Sequence, residues 1–591
     1  MIHIENKVDC CGCNACGDIC PKDAISFKTD NEGIWYPEVD MDKCIDCHLC
    51  EKVCPIINHK GLNEGHSDYP QAYVLQHKSV KERFNSTSGC LYPEIARYFL
   101  ENGGYVAGHI YNDNYAVRGF ISNRIEDLEK LRNSKYLQSD MRGIYKEVKR
   151  LLNEGHHVLF SGCPCQIAAF KTYLRKDYDN LLTVDFTCMG IDSPKAFLKY
   201  IESLEHRYDS KMVFFKSKSK ETGWTDLTNK AIFENGRTYF GTRKVDSNLR
   251  ATFLNILVRP SCYDCKFKGF PRIADITIGD FWSRPKKEYA SLVDNTGTSY
   301  YIANSDKAEA FFSNISSVFN FKPIDLKGLF GGNPLMNKSL DPPAFNRNDF
   351  YKELDNRDFT ELVEDYYKKV QTKATIKPFL FNTLRMFKRL DFNIFAFVRC
   401  YFYNLFSKHL SSNLANGDML LFPLGAKLSL SKGSKIVIQG LCEIGDGSHI
   451  TMANNSVLKI DGFNALGHNP NITLDADASL SIGDRTRVAN NVVITCSKHI
   501  SIGGFGYIAN NVTISDSNNG IICSDELLSM IEPISIGEHC LIGENVIVKR
   551  GAKISDEVIV EPSSVVIGEM PPRVRIAGNP ATIIGKEIIW K

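Results

Sequence analysis

Cysteine dominates the chemistry this sequence offers. The string Cys10-x2-Cys13-x2-Cys16-x3-Cys20-Pro21 recurs as Cys44-x2-Cys47-x2-Cys50-x3-Cys54-Pro55. Such short spacers wrap three thiolates around one face of an iron–sulfur cubane, and the fourth Cys of each run reaches across to the other cubane. One site then takes Cys10, Cys13, Cys16 and Cys54; the other takes Cys44, Cys47, Cys50 and Cys20. This interleaving folds residues 1–60 as one pseudo-twofold unit. Zinc knuckles are the competing chemistry, although their spacing is more varied. Cys11, a ninth thiol beside a ligand, reads as a bystander.

A second set of thiols depends on the fold to bring it together. From Tyr69 to about Ala303 the chain alternates short β-branched runs with amphipathic stretches, an α/β pattern. Strands are expected at Gly104–Tyr111, Tyr115–Ser122, His157–Ser161 and Leu181–Phe186, with helices at Tyr92–Asn102 and Ile144–Asn153. The second helix carries Ile144, Val148, Leu151 and Leu152 on one face. Ser161-Gly-Cys-Pro-Cys-Gln166 follows one strand, Cys188 follows another, and Cys262-x2-Cys265 lies farther on. Loops after such strands commonly bind ligands, so these thiols either converge on a metal or are small buried hydrophobes. Cys90 is read as the latter. Asn85-Ser-Thr-Ser-Gly89 precedes a helix, where Ser88 and Gly89 either cradle a phosphate or merely cap the helix.

Two resemblances then enter. Residues 5–58 resemble bacterial two-cluster [4Fe-4S] ferredoxins, which relay single electrons. Ser134-Lys-Tyr-Leu-Gln-Ser139, Ser161-Gly-Cys-Pro-Cys-Gln166, Cys262-x2-Cys265 and Ala274-Asp-Ile-Thr-Ile-Gly-Asp-Phe-Trp282 resemble the beta subunits of deazaflavin-reducing hydrogenases and dehydrogenases over roughly residues 70–305. That resemblance implies FAD and a third [4Fe-4S] cluster, held by Cys165, Cys188, Cys262 and Cys265. It also implies that Ser134, Lys135, Tyr136 and Gln138 lie near the flavin, with Gln166 closing the Cys-containing string. Cys163 stands where the family carries Thr; Cys165 occupies the family's Cys position and is preferred as ligand. The deazaflavin does not follow from the motif, so the acceptor stays open.

From Leu424 a hexad pattern takes over, as in Leu480-Ser-Ile-Gly-Asp-Arg485 and Ile500-Ser-Ile-Gly-Gly-Phe505. Aliphatic residues at every sixth position stack inward, and the Gly or Asn after them turns a corner, which yields a parallel β-helix. The pattern, with its closing Ile576-Ala-Gly-Asn-Pro-Ala581, resembles hexapeptide-repeat acyltransferases, which implies a left-handed coil, a homotrimer and acetyl-CoA between subunits. Those enzymes place a His general base in a loop that interrupts the coil. Here the interruption, Ile514–Pro533, carries Asn519 at that position, and an amide has no useful basicity. His499 and His539 lie elsewhere on the coil. A trimerising or substrate-carrying scaffold is therefore the competing expectation.

The connector before the coil is basic and aromatic: residues 376–410 contain ten Phe/Tyr, six Lys/Arg and one acidic residue. Such a segment either lies in a membrane interface or docks on a neighbouring domain. Across all 591 residues the charges nearly balance, 71 Lys+Arg against 69 Asp+Glu, which argues against a nucleic-acid partner. No apolar run approaches ~18 residues, which disfavours spanning a membrane, and nine of the 20 Cys lie in residues 1–60 at metal-ligand spacing, which fits a reducing cytoplasm, with peripheral contact at the inner face of the membrane as a further expectation. The expected class is multidomain α/β + β: a ferredoxin-like α+β head (1–60), an α/β flavin-binding reductase domain (68–340), a helical connector (341–414) and a left-handed parallel β-helix (415–591). The expected function is an oxidoreductase of surface-glycan metabolism with a redox partner protein and a small-molecule, nucleotide-sugar or glycan substrate.

Overall fold

The computed structural model describes the chain apart from residues 221–222, 226, 244, 284–286, 294–295, 373–382, 384–385, 387–393, 414–416, 518–530 and 587–591. Two compact units emerge, Met1–Val370 and Gln371–Lys591.

In the first unit the repeated cysteine string produces a repeated backbone. Gly12 and Asp46 both take positive φ, as do Asn14 and His48, the residues that start the short helices α1 (Ala15–Asp18) and α2 (Leu49–Lys52). An antiparallel pair, β1 (Ile25–Thr29) and β2 (Trp35–Val39), separates the two runs. The head is not a separate body. Its backbone is bound by the domain that follows: Tyr145 Oη donates to Cys13 O at 2.8 Å, Thr172 Oγ1 to Val53 O at 2.7 Å and Arg259 Nε to Cys10 O at 2.6 Å. Arg347 forms an ion pair with buried Glu32 at 2.9 Å.

The following domain is built on a sheet of nine strands. Five of them matter for position: β3 (Gln71–His77), β4 (Tyr105–Tyr111), β5 (Val117–Ser122), β6 (Ser139–Asp140) and β7 (Val158–Ser161). β8 (Leu181–Phe186) continues beside β7, and Ile276–Asp280 beside β8. β4, β7, β8 and Ile276–Asp280 are mutually parallel, so the loops leaving β7 and β8 emerge side by side. The expected strands and helices appear with boundaries shifted by at most two residues; Leu91–Glu101 and Ile144–Asn153 are the observed helices. In the latter, Val148, Leu151 and Leu152 are buried as the periodicity requires, and Ile144 is half-buried. The helices Arg347–Leu354 and Phe359–Thr372 bury Phe350, Leu354, Phe359 and Leu362 in the same hydrophobic cluster as Phe197 and Tyr200. The first part of the connector thus belongs to this unit.

The second unit is a parallel β-helix with three faces. Ile450, Ile472, Ile494, Ile514, Val548 and Val566 stack in register down one interior column and are essentially unexposed. Burial of each such side chain is worth roughly 1.5–3 kcal/mol. The coil is not a uniform hexad array. Lys427 pairs with His449 and His449 with Asn471; later coils shorten, with Val493 pairing with Thr513 and Ile547 with Val565. Only the last reaches the length of about three hexads. Corner asparagines Asn469, Asn491, Asn511 and Asn545 take positive φ and link their amides in a ladder at 3.1–3.2 Å. The helix Ile394–Phe406 packs Ala396 and Cys400 inward, and its Arg399 donates to the carbonyls of Pro423, Leu424 and Ala426. Phe395, Phe402 and Phe406 remain exposed on this helix. Much of the basic-aromatic stretch lies outside the described residues. No described helix is long and apolar enough to cross a membrane.

Candidate functional site: three thiol cavities

Two cavities in the head partition the cysteines. One is lined by Cys20, Cys44, Cys47 and Cys50; the other by Cys10, Cys13, Cys16 and Cys54, with Cys11 in its wall. The fourth Cys of each run thus faces the three of the other run. Backbone N–H groups point at the sulfurs: Ile2 N to Cys50 Sγ at 3.3 Å, Ala24 N to Cys20 Sγ at 3.3 Å and Asp46 N to Cys44 Sγ at 3.4 Å. Such donors stabilise sulfur that carries negative charge.

The third cavity lies in the sheet domain and is lined by Cys165, Cys188, Cys262 and Cys265, together with Lys266, Lys268 and Leu340. The four thiols arrive on three elements. Cys163 caps the helix Pro164–Leu174, and Cys165 lies in its first turn, directly after β7. Cys188 follows β8 and accepts from Gly190 N at 3.4 Å. Arg259 N donates to Ile191 O and Asp192 bridges to Val258, which brings the turn Pro260–Asp264 and its Cys262 alongside. Burial pushes the Cys262 thiol up to about 12, so a set of bare thiolates is disfavoured here and a bound cation would relieve it. Cys163 touches Cys165 and Cys188 but does not line the cavity. Lys268 Nζ donates to Cys188 O at 2.7 Å and to Leu335 O at 2.9 Å.

Cys11 was legible only as a spare thiol. It lines both the Cys10 cavity and the third cavity, and so does Ile56. Its sulfur contacts those of Cys13 and Cys165.

The residues expected near a flavin divide. Ser88 Oγ donates to Thr298 O at 3.0 Å and Gly89 N to Ser299 Oγ at 2.9 Å, which ties this loop to the sheet. Ser134 lies beside Thr87 at 3.5 Å. Lys135 turns its Nζ onto the carbonyls of Leu131, Arg132 and Asn133, and burial lowers its pKa to about 7. Tyr136 packs against Lys218, itself paired with Asp280 at 2.6 Å. Gln138 lies against Gly12 and Arg259, facing the head. Gln166 closes the helix cap, accepting from Cys163 N and donating to Ser139 Oγ at 2.8 Å. The segment therefore runs from the Ser88 loop to the head, and its functional groups do not all face one place. His109, on β4, was not singled out by the sequence: its buried ring lies beside the Ser161 backbone, Lys135 and Cys163 without a well-formed hydrogen bond, and burial lowers its pKa to about 4.

Three family models match in succession: a 4Fe-4S dicluster domain over residues 9–56, the C terminus of the coenzyme F420 hydrogenase/dehydrogenase beta subunit over 155–327, and the hexapeptide repeat of succinyl-transferase over 533–566. The chain joins these three domains. The dicluster domain accounts for at least one [4Fe-4S] cluster. Its beta-subunit match contains every thiol of the third cavity except Cys11. A chain of the F420-reducing [NiFe] hydrogenase complex from Methanosarcina barkeri is similar at 18% identity over 52% of this chain and 92% of that one, with a TM-score of 0.32, too distant to bear on mechanism. The hexapeptide domain is similar to the putative acetyltransferase YJL218W of Saccharomyces cerevisiae, 32% identical over 20% of this chain and 61% of that protein. It is also similar to the putative lipopolysaccharide biosynthesis O-acetyl transferase WbbJ of Escherichia coli, 35% identical over 17% and 58%. The chain thus spans about three-fifths of the length of these acetyltransferases.

On the hexapeptide domain, Asn519 lies outside the described residues. The root of its loop is fixed by buried Asp516, which accepts from the backbone N–H of Ser497, Lys498 and His499 at 2.6–3.0 Å. His499 Nδ1 lies 2.7 Å from Ser479 Oγ, and His539 stacks on Phe505 at 5.0 Å.

Proposed function

We propose that this chain is an iron–sulfur flavoprotein oxidoreductase fused to an acyltransferase-like coil, acting on a small, sugar-derived acceptor in surface-polysaccharide synthesis. The observation that carries the reading is the shared wall: Cys11 and Ile56 line both the Cys10 cavity and the third cavity. Single-electron exchange between metal centres needs such proximity. Cys10, Cys13, Cys16 and Cys54 would hold one [4Fe-4S] cluster, Cys20, Cys44, Cys47 and Cys50 a second, and Cys165, Cys188, Cys262 and Cys265 a third. The donor set fits: all are thiols, every one buried or half-buried except the exposed Cys47, and several have N–H donors aimed at sulfur.

FAD is the expected partner of the third site. The buried ring nitrogens of His109 are polar atoms that a flavin ring would satisfy, and Ser134 lies beside Thr87 of the Ser88 loop. When bound, FAD supplies the exchange between single electrons and hydride. Lys135, held on three carbonyls, fixes the Ser134 loop, while His109, neutral at pH 7, offers one N–H donor and one acceptor. A ferredoxin-type redox protein would be the external partner.

The test is anaerobic purification with flavin and metal analysis, then a screen of nucleotide sugars with a low-potential electron donor. About one FAD per chain and dithionite-bleachable colour are expected. Full iron without any flavin would reduce the reductase reading to an electron-relay scaffold.

A second reading is favoured by the likeness to acetyltransferases: a left-handed, homotrimeric coil that binds acetyl-CoA and modifies a glycan. Asn519 argues against turnover. Little acetyl-CoA-dependent transfer is expected of the wild type, and Asn519→His should raise it, since a general base is worth ~10²–10⁴-fold. Strong wild-type transfer would shift attention to His499 or His539.

A further inference from the structure

Arg259 is the largest fully buried side chain among the described residues, 0% exposed. Its guanidinium is permanently charged, and a buried cation without an anion is strongly disfavoured. Yet its partners are neutral: Cys10 O at 2.6 Å, Trp35 O at 3.0 Å and the Tyr36 ring at 4.2 Å. Nη2 has no hydrogen-bond partner, and Arg259 has no carboxylate partner among the described residues. Arg259 binds the backbone beside a ligand of each cavity: its Nε donates to Cys10 O at 2.6 Å, and its own carbonyl accepts from Cys262 N at 2.9 Å. Cys10 lines the head cavity and Cys262 the third one. The missing anion is therefore to be sought in both cavities at once. Gln138 stands beside the guanidinium: a Cβ on Gly12 would lie 2.5 Å from Gln138 Nε2 and 2.8 Å from Arg259 Nη1, and neither amide atom of Gln138 has a partner.

We propose that Arg259 is the shared counter-cation of two clusters, that of Cys10, Cys13, Cys16 and Cys54 and that of Cys165, Cys188, Cys262 and Cys265, and that it raises the reduction potential of both. This rests on the cluster assignment above. A thiolate-ligated cluster is anionic and gains one further negative charge, with no proton, when it accepts one electron, so a fixed cation favours its reduced state. Arg259 is thus a positioning residue in the electrostatic sense, acting through the ligands Cys10 and Cys262. The cluster of Cys20, Cys44, Cys47 and Cys50, whose cavity wall contains none of these residues, serves as an internal control.

The experiment is an anaerobic potentiometric titration of full-length, cluster-loaded protein, with dithionite as one-electron donor and each cluster followed by electron paramagnetic resonance. In Arg259→Met the reduction equilibrium of both clusters should fall by about tenfold or more, tenfold being about 59 mV for one electron. The control cluster should move by less than about threefold. Gln138→Glu covers the case in which Arg259→Met does not load or fold. It places the missing carboxylate beside the guanidinium, neutralises it in place, and should shift both clusters in the same direction. Potentials unmoved in Gln138→Glu, equal shifts in all three clusters, or a shift in only one of the two would overturn the shared role. If the wild type shows three clusters whose potentials ignore both substitutions, the Arg259 role fails and the cluster assignment stands. A wild type with no third cluster removes both.

Discussion

The cavity of Cys20, Cys44, Cys47 and Cys50 and that of Cys165, Cys188, Cys262 and Cys265 offer the same four thiols, but they are built by opposite means. In the head, three of four ligands lie within seven residues of one another, and local backbone turns at Asp46 and His48 aim them. In the sheet domain, the thiols come from the ends of two parallel strands and from a turn some 75 residues farther on, joined by the pairing of Ile191–Asp192 with Val258–Arg259 and by Lys268 on Cys188 O. A local motif specifies its ligand set by spacing alone. A convergent one depends on the register of a whole sheet, so substitutions far from sulfur should reach it.

The largest separation should come from ligand removal. Cys262→Ser should abolish the third cluster and leave the head intact, about 8 iron atoms remaining of about 12. Cys54→Ser should damage the Cys10 cluster and, through the interleaved runs, the whole head. Iron assay and paramagnetic resonance distinguish them; loss of head iron in Cys262→Ser would erase the contrast.

A smaller effect compares two pseudo-equivalent positions. Gly12→Ala should lower stability by about 1–3 kcal/mol, because φ is +72° and the new Cβ meets Gln138 and Arg259. Asp46→Ala, exposed and already bearing a side chain at φ +51°, should cost less than about 0.5 kcal/mol. Anaerobic thermal melting measures both. Equal costs would mean that the head does not use Gly12 to seat on the sheet domain.

The head was readable because its chemistry is local: two identical strings predict their own pairing. The coil was readable too, since Ile536, Ile542 and Ile554 fall at multiples of six residues and are all buried. Strand and helix positions around β7 and β8 followed from β-branched runs and from the Val148–Leu152 face. What escaped was long-range. Nothing in Cys11 marks it as a wall between two cavities, and nothing in His109 marks it as buried beside Lys135. Gln138 carries the motif's type but faces Arg259, because the residue before it bridges to Asp192. The uniform hexad reading missed the longer early coils, in which extra residues sit at corners that any Asn or Gly can take.

The smallest expected effect is in pH. Burial pushes the Asp192 carboxyl up to about 7 from an ordinary 3.8, with Thr252 and the Arg347 charge opposing it. The folded state therefore holds the proton more tightly than the unfolded chain, and this contribution, complete below about pH 4, is lost as pH rises through about 7. Asp192→Asn should flatten that loss, stabilising the protein relative to wild type at pH 8 and not at pH 4. Anaerobic denaturant titration at the two pH values checks it, and an identical difference at both would show that Asp192, at its bridge to Val258, is not the pH-sensitive group.

The most direct measurement is the iron and acid-labile sulfide content of the anaerobically reconstituted wild-type chain, with the clusters counted by Mössbauer spectroscopy. Three thiol cavities require about 12 iron atoms and as many sulfides per chain, all in cubane form. A saturated value of about 8, with Cys165, Cys188, Cys262 and Cys265 still open to alkylation, would contradict the third site and the continuity between head and sheet domain built on it.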